Sequence, residues 1–388
     1  MIFSIYGITL FAITICINIC LYKKDKENFR ESRLELLRII AMIMIVGYHY
    51  TLHGSNFFNL EININKLILN LFIINGKIGV NLFIMISAYY LLRTKVTLEK
   101  VINLILKVKI YSIIFLIIFL YLDEVSLVNL IGSIFPVLYS FYWFISAYLI
   151  FYITSPLLNK FFISFEKDLV KKTIIVSIII FSIFSHLFKA FLFYSVIIWF
   201  FNLYMIVYYI NNYIDVQKIS INKLKIISFI SFFLIYLSIL IFDILGKYSI
   251  VFKNNIIYFT LENSILVLVF SISFFLIFLK LPPIKSKVIN YVAKAILGIY
   301  LIHDNRLFRS LLYYKILDNS KYINENWLIL LLHSIFSIIL IFSFGICIDQ
   351  TMNMSTKKIS NLIQIRKIEK IIKQILEKSI QKLEKYEK

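Results

Sequence analysis

The sequence predicts an all-α protein, a polytopic bundle of transmembrane helices. Of its 388 residues, 61% are apolar by type and only 16% are charged, whereas a soluble globular chain is about half apolar and about a quarter charged. Apolar runs of roughly 20 residues recur, which is the length that crosses about 30 Å of hydrocarbon as a helix. The chain has only 9 Gly and 4 Pro, and strands of alternating polarity do not recur, so an outer-membrane barrel is not expected.

Charge and cysteine content exclude several other classes of protein. The net charge is +20, from 41 Lys and Arg against 21 Asp and Glu. In a soluble protein this excess would suggest nucleic acid, but here the cations lie between apolar runs, as they do in cytoplasmic loops. Cys16 and Cys20 lie in one apolar run and Cys347 lies far away in sequence. We therefore expect no nucleic-acid partner, no disulfide and no cysteine metal site.

The apolar runs divide the chain into four parts. We expect an N-terminal transmembrane anchor at 1–22, a basic cytoplasmic linker at 23–35, a ten-helix membrane domain at 36–350 and a basic tail at 351–388. The first run has no basic region before it and no Ala-x-Ala site, so it is not expected to be a cleaved signal peptide. The predicted spans are 2–22, 36–53, 68–92, 101–122, 138–160, 171–187, 192–214, 224–246, 261–281, 291–312 and 327–350.

Lysine and arginine residues predict the orientation of these spans. Of the 41 cations, 29 lie in the linker 23–35, in alternate loops and in the tail 351–388. The side rich in cations is expected to be cytoplasmic, which places the C-terminus in the cytoplasm. Apolar residues recur at helical spacing in the tail, so it is expected to form a basic amphipathic helix on the lipids of the inner leaflet. A short coiled coil is the alternative.

Two ionisable residues lie on one face of the second span. Arg38 is followed by His49 eleven positions later. Eleven steps of about 100° end only about 20° from three full turns, and the rise is about 16 Å, so both side chains point the same way at opposite ends of the helix. Ionisable groups inside a span are costly and are usually functional. Arg38 alone could instead be an anchor whose charged end reaches the interface.

The other ionisable groups separate into two halves of the bundle. Those of the outer half are His49, His53, His186, His303, His333, Asp243, Glu262 and Asp304. Arg38, Lys107 and Lys109 fall toward the cytoplasmic half. Cations suit phosphate binding, and a histidine beside a carboxylate suits proton transfer. This distribution predicts a path with an anion-binding floor and an acid–base chamber above it.

Four sequence elements resemble, in order, the motifs of a known family. RLELLR at 33–38 with His49 resembles the R-x10-H opening of the acyltransferase 3 family of bacterial membrane acyltransferases. GVNLFIMISAYY at 79–90 resembles its GV-x-LFF-x-(I/L)-SG(Y/F) element. YWF at 142–144, continuing to PLL at 156–158, resembles its WF…P-x-L helix, and LGIYLIH at 297–303 resembles its late GIYLIH helix.

This resemblance implies an O-acyltransferase of the bacterial plasma membrane. The acyl group, usually acetyl, would pass from cytoplasmic acetyl-CoA to a hydroxyl of a surface polysaccharide or lipid-linked glycan. Arg38, with Lys107 and Lys109, would receive the CoA phosphates. His49 would act as general base or transient acyl carrier, His303 is the second catalytic candidate, and Asp243, Glu262 or Asp304 would orient the imidazole.

Three further residues are candidates for substrate binding, each with a structural alternative. Ser87 could donate a hydrogen bond to the thioester oxygen or serve helix packing. Trp143 could cover a sugar ring or belong to the interfacial aromatic belt. Arg306, together with Arg309, could hold an anionic glycan or a lipid-linked pyrophosphate, or be solvated in a loop. No metal is expected, because the pair formed by His49 and His53 lacks an acidic ligand or third histidine in the sequence.

A transporter that exports a lipid-linked saccharide is the alternative function. Polar groups in both halves of a bundle also suit alternating access, which often uses inverted repeats and broken helices. No pair of spans interrupted by Gly or Pro occupies matching positions, so the enzyme is preferred. Release of CoA from acetyl-CoA would distinguish the two.

Overall fold

A computed structural model of the chain describes residues 5–24, 31–122, 125–188 and 195–362. Within these ranges the protein is all-α and contains no strand. Part of the predicted linker and residues 363–388 of the predicted amphipathic tail lie outside the described residues.

Thirteen helices organise the described ranges. They are α1 (Ile5–Lys24), α2 (Arg33–Gly54), α3 (Ile64–Leu91), α4 (Leu98–Tyr121), α5 (Leu127–Ile134), α6 (Trp143–Ile163), α7 (Lys167–Ile178), α8 (Val196–Tyr213), α9 (Ile221–Leu245), α10 (Ile265–Lys280), α11 (Lys287–Lys294), α12 (Ile296–His303) and α13 (Trp327–Leu362). Single helical turns and two π-helical segments, Ile179–Phe184 and Leu311–Ile316, connect them.

Several of these segments meet the length and hydropathy of a membrane span. Seven do so in the described ranges, namely Arg33–Gly54, Ile64–Leu91, Leu98–Tyr121, Lys167–Leu187, Ile221–Leu245, Ile250–Lys280 and Trp327–Asn353. The chain is therefore a multi-pass membrane protein with the predicted helical class. Other predicted spans, among them those that form α6 and α8, do not meet this measure in the described residues.

The predicted span at 291–312 is interrupted rather than continuous. The helix is interrupted at Ala295, between α11 and α12, and α12 ends at His303. The side chain of Asn305 then accepts hydrogen bonds from the backbone N–H groups of Leu307 and Phe308, at 3.0 and 3.1 Å. This Asx turn competes with helix continuation and fixes the chain just after His303.

Helix α2 packs along α3 through a close contact at Gly79. A Cβ atom on Gly79 would lie 2.6 Å from the carbonyl oxygen of Ala41, so no larger residue fits without movement. Small residues let two helix backbones approach where lipid provides no hydrophobic driving force between them. This contact fixes the face of α2 that points away from α3.

Helices α4, α12 and α13 meet around a buried carboxylate. Asp349 is fully buried and accepts from Lys107 at 2.6 Å and from the hydroxyl of Tyr111 at 2.8 Å. A Cβ atom on Gly298 would lie 2.1 Å from Oδ1 of Asp349, so the absence of a side chain there admits the carboxylate. The ion pair thereby ties α4 to α13, and Gly298 of α12 packs against it.

Candidate active site

One face of α2 lines a cavity of about 620 Å³ inside the bundle. The residues that α2 contributes include Arg38, Met42, Ile45, His49 and His53. Their spacings of four, three, four and four follow the period of a helix, so they form one stripe. Arg38 and His49 therefore line the same cavity, separated by a rise of about 16 Å.

His49 and His303 form a hydrogen-bonded pair at one end of this cavity. Nδ1 of His303 is 2.7 Å from the carbonyl oxygen of Ile299, which can only accept, so this nitrogen carries a proton. Nε2 of a neutral His303 then accepts from Nδ1 of His49 across 3.0 Å. The remaining nitrogen of His49, Nε2, is the unprotonated one. His303 is fully buried and does not line the cavity, whereas His49 does.

Asp304 is the carboxylate nearest to His49. Its Oδ1 lies 4.0 Å from Nδ1 of His49 and 3.8 Å from a guanidinium nitrogen of Arg309. His53, one turn beyond His49, completes a cluster in which His49, His53 and Asp304 each offer a ligand atom within 4.8 Å of the others. The expectation that the two histidines lack an acidic neighbour is therefore wrong, because the turn after α12 supplies one. The guanidinium of Arg309, 3.8 Å from Asp304, supplies a positive charge next to this cluster.

Cations predominate in the lining of the cavity. Among the described residues that line it, five are cationic and one is acidic; they are Arg38, Lys77, Lys100, Arg306 and Arg309 against Asp304. Arg38 also contacts a carboxylate outside the lining, since it donates to Glu35 at 2.6 Å. The guanidinium of Arg38 lies 5.8 Å from the ring of Tyr90, near the end of α3. Since α4 begins a short turn later, Lys100 belongs to this same end.

Lys77, which lines the cavity with His49, contacts two residues that the sequence analysis singled out, Glu262 and Trp143. Its ammonium group lies 3.0 Å from Oε2 of Glu262 and 4.8 Å from the ring centre of Trp143. Trp143 lines the main cavity, whereas Glu262 lines a second cavity of about 450 Å³ that shares Lys77. Glu262 thus neutralises Lys77 rather than orienting His49.

Three predicted binding residues lie away from the main cavity. Lys107 is held by Asp349, and Lys109 is exposed, 6.0 Å from the ring of Phe135. Asp243 is buried in an ion pair with Lys66 at 2.7 Å. The predictions that Lys107 and Lys109 receive phosphates and that Asp243 orients an imidazole are corrected here. Lys107 and Asp243 are each paired with another residue of the protein, and none of the three lines the cavity.

Ser87 and Arg306, two of the binding candidates from the sequence, line the cavity. The lining residues that sequence reasoning missed are Lys77 and Lys100. Arg309 is a sequence candidate together with Arg306, and the sequence places His53 close to the face of His49. His53 carried a signal, since it follows His49 by one helical turn. Lys77 had no such signal, because its partner Glu262 comes from a distant segment.

A comparison with protein-family models identifies the family of this chain. Residues 31–348, which contain α2 to α12 and the first 22 residues of α13, match the family model described as an acyltransferase domain. Searches of curated proteins and of solved structures found no match. The match covers most of the chain and includes both Arg38 and the pair of His49 with His303. The chain belongs to the acyltransferase 3 family.

Proposed function

We propose that this acyltransferase is a membrane O-acetyltransferase that moves an acetyl group from acetyl-CoA to a hydroxyl of a surface polysaccharide or lipid-linked glycan. The observation that carries the proposal is the single cavity lined by Arg38 at one end and by His49, with its unprotonated Nε2, at the other. By the distribution of Lys and Arg, the Arg38 end and the C-terminus face the cytoplasm.

The Arg38 end supplies the features that a nucleotide thioester needs. Arg38 and Lys100 line the cavity there and can contact phosphate oxygens. The pantetheine arm of CoA is long, thin and uncharged. Its reach is comparable to the rise of about 16 Å from Arg38 to His49. The stripe between them contains Met42 and Ile45, apolar side chains that suit such an arm.

The chemistry at His49 follows from its tautomer. Nε2 of His49 takes the proton from the glycan hydroxyl while the hydroxyl oxygen attacks the carbonyl carbon of the thioester. The new C–O bond forms, the C–S bond breaks, and the imidazolium returns the proton to the CoA thiolate. His303 and Asp304 stabilise the imidazolium from the Nδ1 side. A route in which His49 first carries the acetyl group uses the same atoms.

Two predicted binding residues have suitable places in this scheme. Ser87 lines the cavity and is proposed to donate to the thioester oxygen. Trp143 lines the cavity beside Lys77 and is proposed to cover a face of the acceptor sugar. Both roles depend on substrate lying along the cavity from one end to the other.

The first test measures acetyl transfer by the full chain in detergent, with labelled acetyl-CoA and cell-envelope glycan. We expect His49→Gln to lower CoA release and glycan acetylation by about 10²- to 10⁴-fold, the range typical of a lost general base. His186→Gln is the matched control, since His186 lines the second cavity rather than the main one, and it should keep wild-type activity. Normal acetylation by His49→Gln would remove the catalytic role. An exporter of lipid-linked saccharide would release no CoA even in the wild type.

A further inference from the structure

The cavity has cations at both ends, and the proposed donor accounts for one end only. All charges of CoA lie on its nucleotide phosphates, and the pantetheine arm and acetyl group are neutral. Phosphates at Arg38 and Lys100 leave the cations near His49 without a counter-charge from the donor. Those cations are Arg306 and Arg309, which line the cavity on the turn that follows α12.

Arg306 is held at the cavity without a carboxylate partner among the described residues. Its guanidinium lies 5.9 Å from the ring centre of Phe141. The turn beneath it is fixed because Asn305 is fully buried and donates to the hydroxyl of Tyr142 at 2.6 Å. The Tyr142 hydroxyl in turn donates to the carbonyl oxygen of Leu301 at 3.0 Å. The backbone of this turn is thereby fixed, and the exposed side chain of Arg306 reaches the cavity from it.

Arg309 has one described carboxylate neighbour, and that carboxylate is shared. Asp304 lies 3.8 Å from Arg309 and 4.0 Å from His49. Together with Arg306, which has no carboxylate partner among the described residues, two guanidinium groups and one carboxylate line this end of the cavity, which leaves a net positive charge beside a neutral His49. Lys77 does not add to it, because Glu262 lies 3.0 Å from its ammonium group.

We propose that the acceptor is anionic, and that Arg306 and Arg309 bind its carboxylate or phosphate while the hydroxyl to be acetylated lies at His49. This inference rests on the proposed function, because it assigns the donor to the Arg38 end. A guanidinium pairs with either anion through two parallel hydrogen bonds. The anion has two possible sources, the carboxylate of an acidic sugar or the phosphates of a lipid carrier.

The test measures ligand-induced thermal stabilisation of the full chain in detergent, with saturating CoA present to fill the Arg38 end. A ligand that binds the folded state raises Tm. The probes are two pairs that differ in charge, methyl glucuronide against methyl glucoside and farnesyl pyrophosphate against farnesol. We expect the charged member of at least one pair to raise Tm more than its neutral partner. A response to glucuronide identifies a sugar carboxylate, and a response to farnesyl pyrophosphate alone identifies a lipid-carrier phosphate.

Variants connect the response to the two arginines. Arg306→Gln and Arg309→Gln should weaken binding of the charged probe at least tenfold, whereas Arg306→Lys should retain part of it. Lys315→Gln is the matched control, because Lys315 is an exposed cation on the next helical segment that does not line the cavity. The inference is overturned if neutral and charged probes act alike, or if Arg306→Gln and Arg309→Gln both bind like the wild type. Failure of the proposed function is a separate result, in which CoA itself neither stabilises the protein nor is released from acetyl-CoA.

Discussion

At the scale of single side chains, the basicity proposed for His49 depends on a neighbour that substrate does not reach. His303 is fully buried, and its hydrogen bond to the carbonyl oxygen of Ile299 leaves Nε2 to accept from His49. In the proposed reaction His303 is therefore a positioning residue, because it holds His49 and does not itself line the cavity.

Substitutions at His303 should separate positioning from direct catalysis. His303→Leu removes the acceptor for Nδ1–H of His49 and should lower kcat about 10- to 100-fold, the usual range for an outer-shell partner of a functional histidine. KM for acetyl-CoA should stay unchanged. His303→Gln, whose amide oxygen can accept the same hydrogen bond, should recover part of kcat. Equal losses in both variants would contradict a positioning role.

Lys107 shows why a cation in a span need not bind substrate. It donates to Asp349, a fully buried residue of α13, which is distant from α4 in sequence. No helical periodicity connects the two residues, so the sequence could not reveal the pair. The lysine that the cavity does contain at this end, Lys100, lies at the start of α4, where it looked like an ordinary loop cation.

The ion pair predicts a stability effect rather than a binding effect. Lys107→Met leaves the Asp349 carboxylate buried without its partner and should destabilise the bundle by about 3–5 kcal/mol. A fall in Tm with unchanged KM for acetyl-CoA is expected, measured by thermal unfolding in detergent. Lys109→Met, on the exposed side of the same helix, should change neither quantity. A raised KM in Lys107→Met with normal Tm would restore the phosphate-binding role.

At the scale of helices, regular periodicity was predictable and its interruptions were not. The stripe of α2 follows from the eleven-residue step between Arg38 and His49, and both residues line one cavity. The turn at Asp304 depends on side-chain hydrogen bonds of Asn305, which hydropathy does not report. An unbroken helix would place Asp304 about 100° away from His303. In the structure Asp304 is the first residue after α12, and its carboxylate lies 4.0 Å from His49.

The close packing of α2 on α3 gives a prediction for Gly79. Gly79→Leu places a side chain against the carbonyl oxygen of Ala41, which a Cβ atom would already approach to 2.6 Å. Overpacking of this kind should cost about 1–3 kcal/mol and lower Tm. Leu71→Phe changes an exposed position on the same helix and should leave Tm unchanged. An equal Tm for Gly79→Leu and wild type would show that the two helices separate easily.

At the scale of the whole molecule, composition predicted a membrane bundle, and the motifs predicted a family that the comparison bears out. The choice among three carboxylates stayed open because it depends on which helices are neighbours. In the structure Asp243 pairs with Lys66 and Glu262 with Lys77, which leaves Asp304 at the cavity. A constellation built from separate helices becomes visible only once their packing is known.

The proposed reaction requires that the cavity connect its two ends, and Met42 lies between them on the α2 stripe. Met42→Trp places an indole across the path between Arg38 and His49. We expect at least a tenfold fall in acetyl transfer, while CoA still stabilises the protein because Arg38 and Lys100 remain. Ile43→Trp is the matched control. Ile43 follows Met42 in sequence, does not line the cavity and is 40% exposed on another face of α2, so this variant should transfer acetyl groups normally. Wild-type transfer by Met42→Trp would mean that the thioester never passes along this stripe, and the donor would then have to reach His49 by another route.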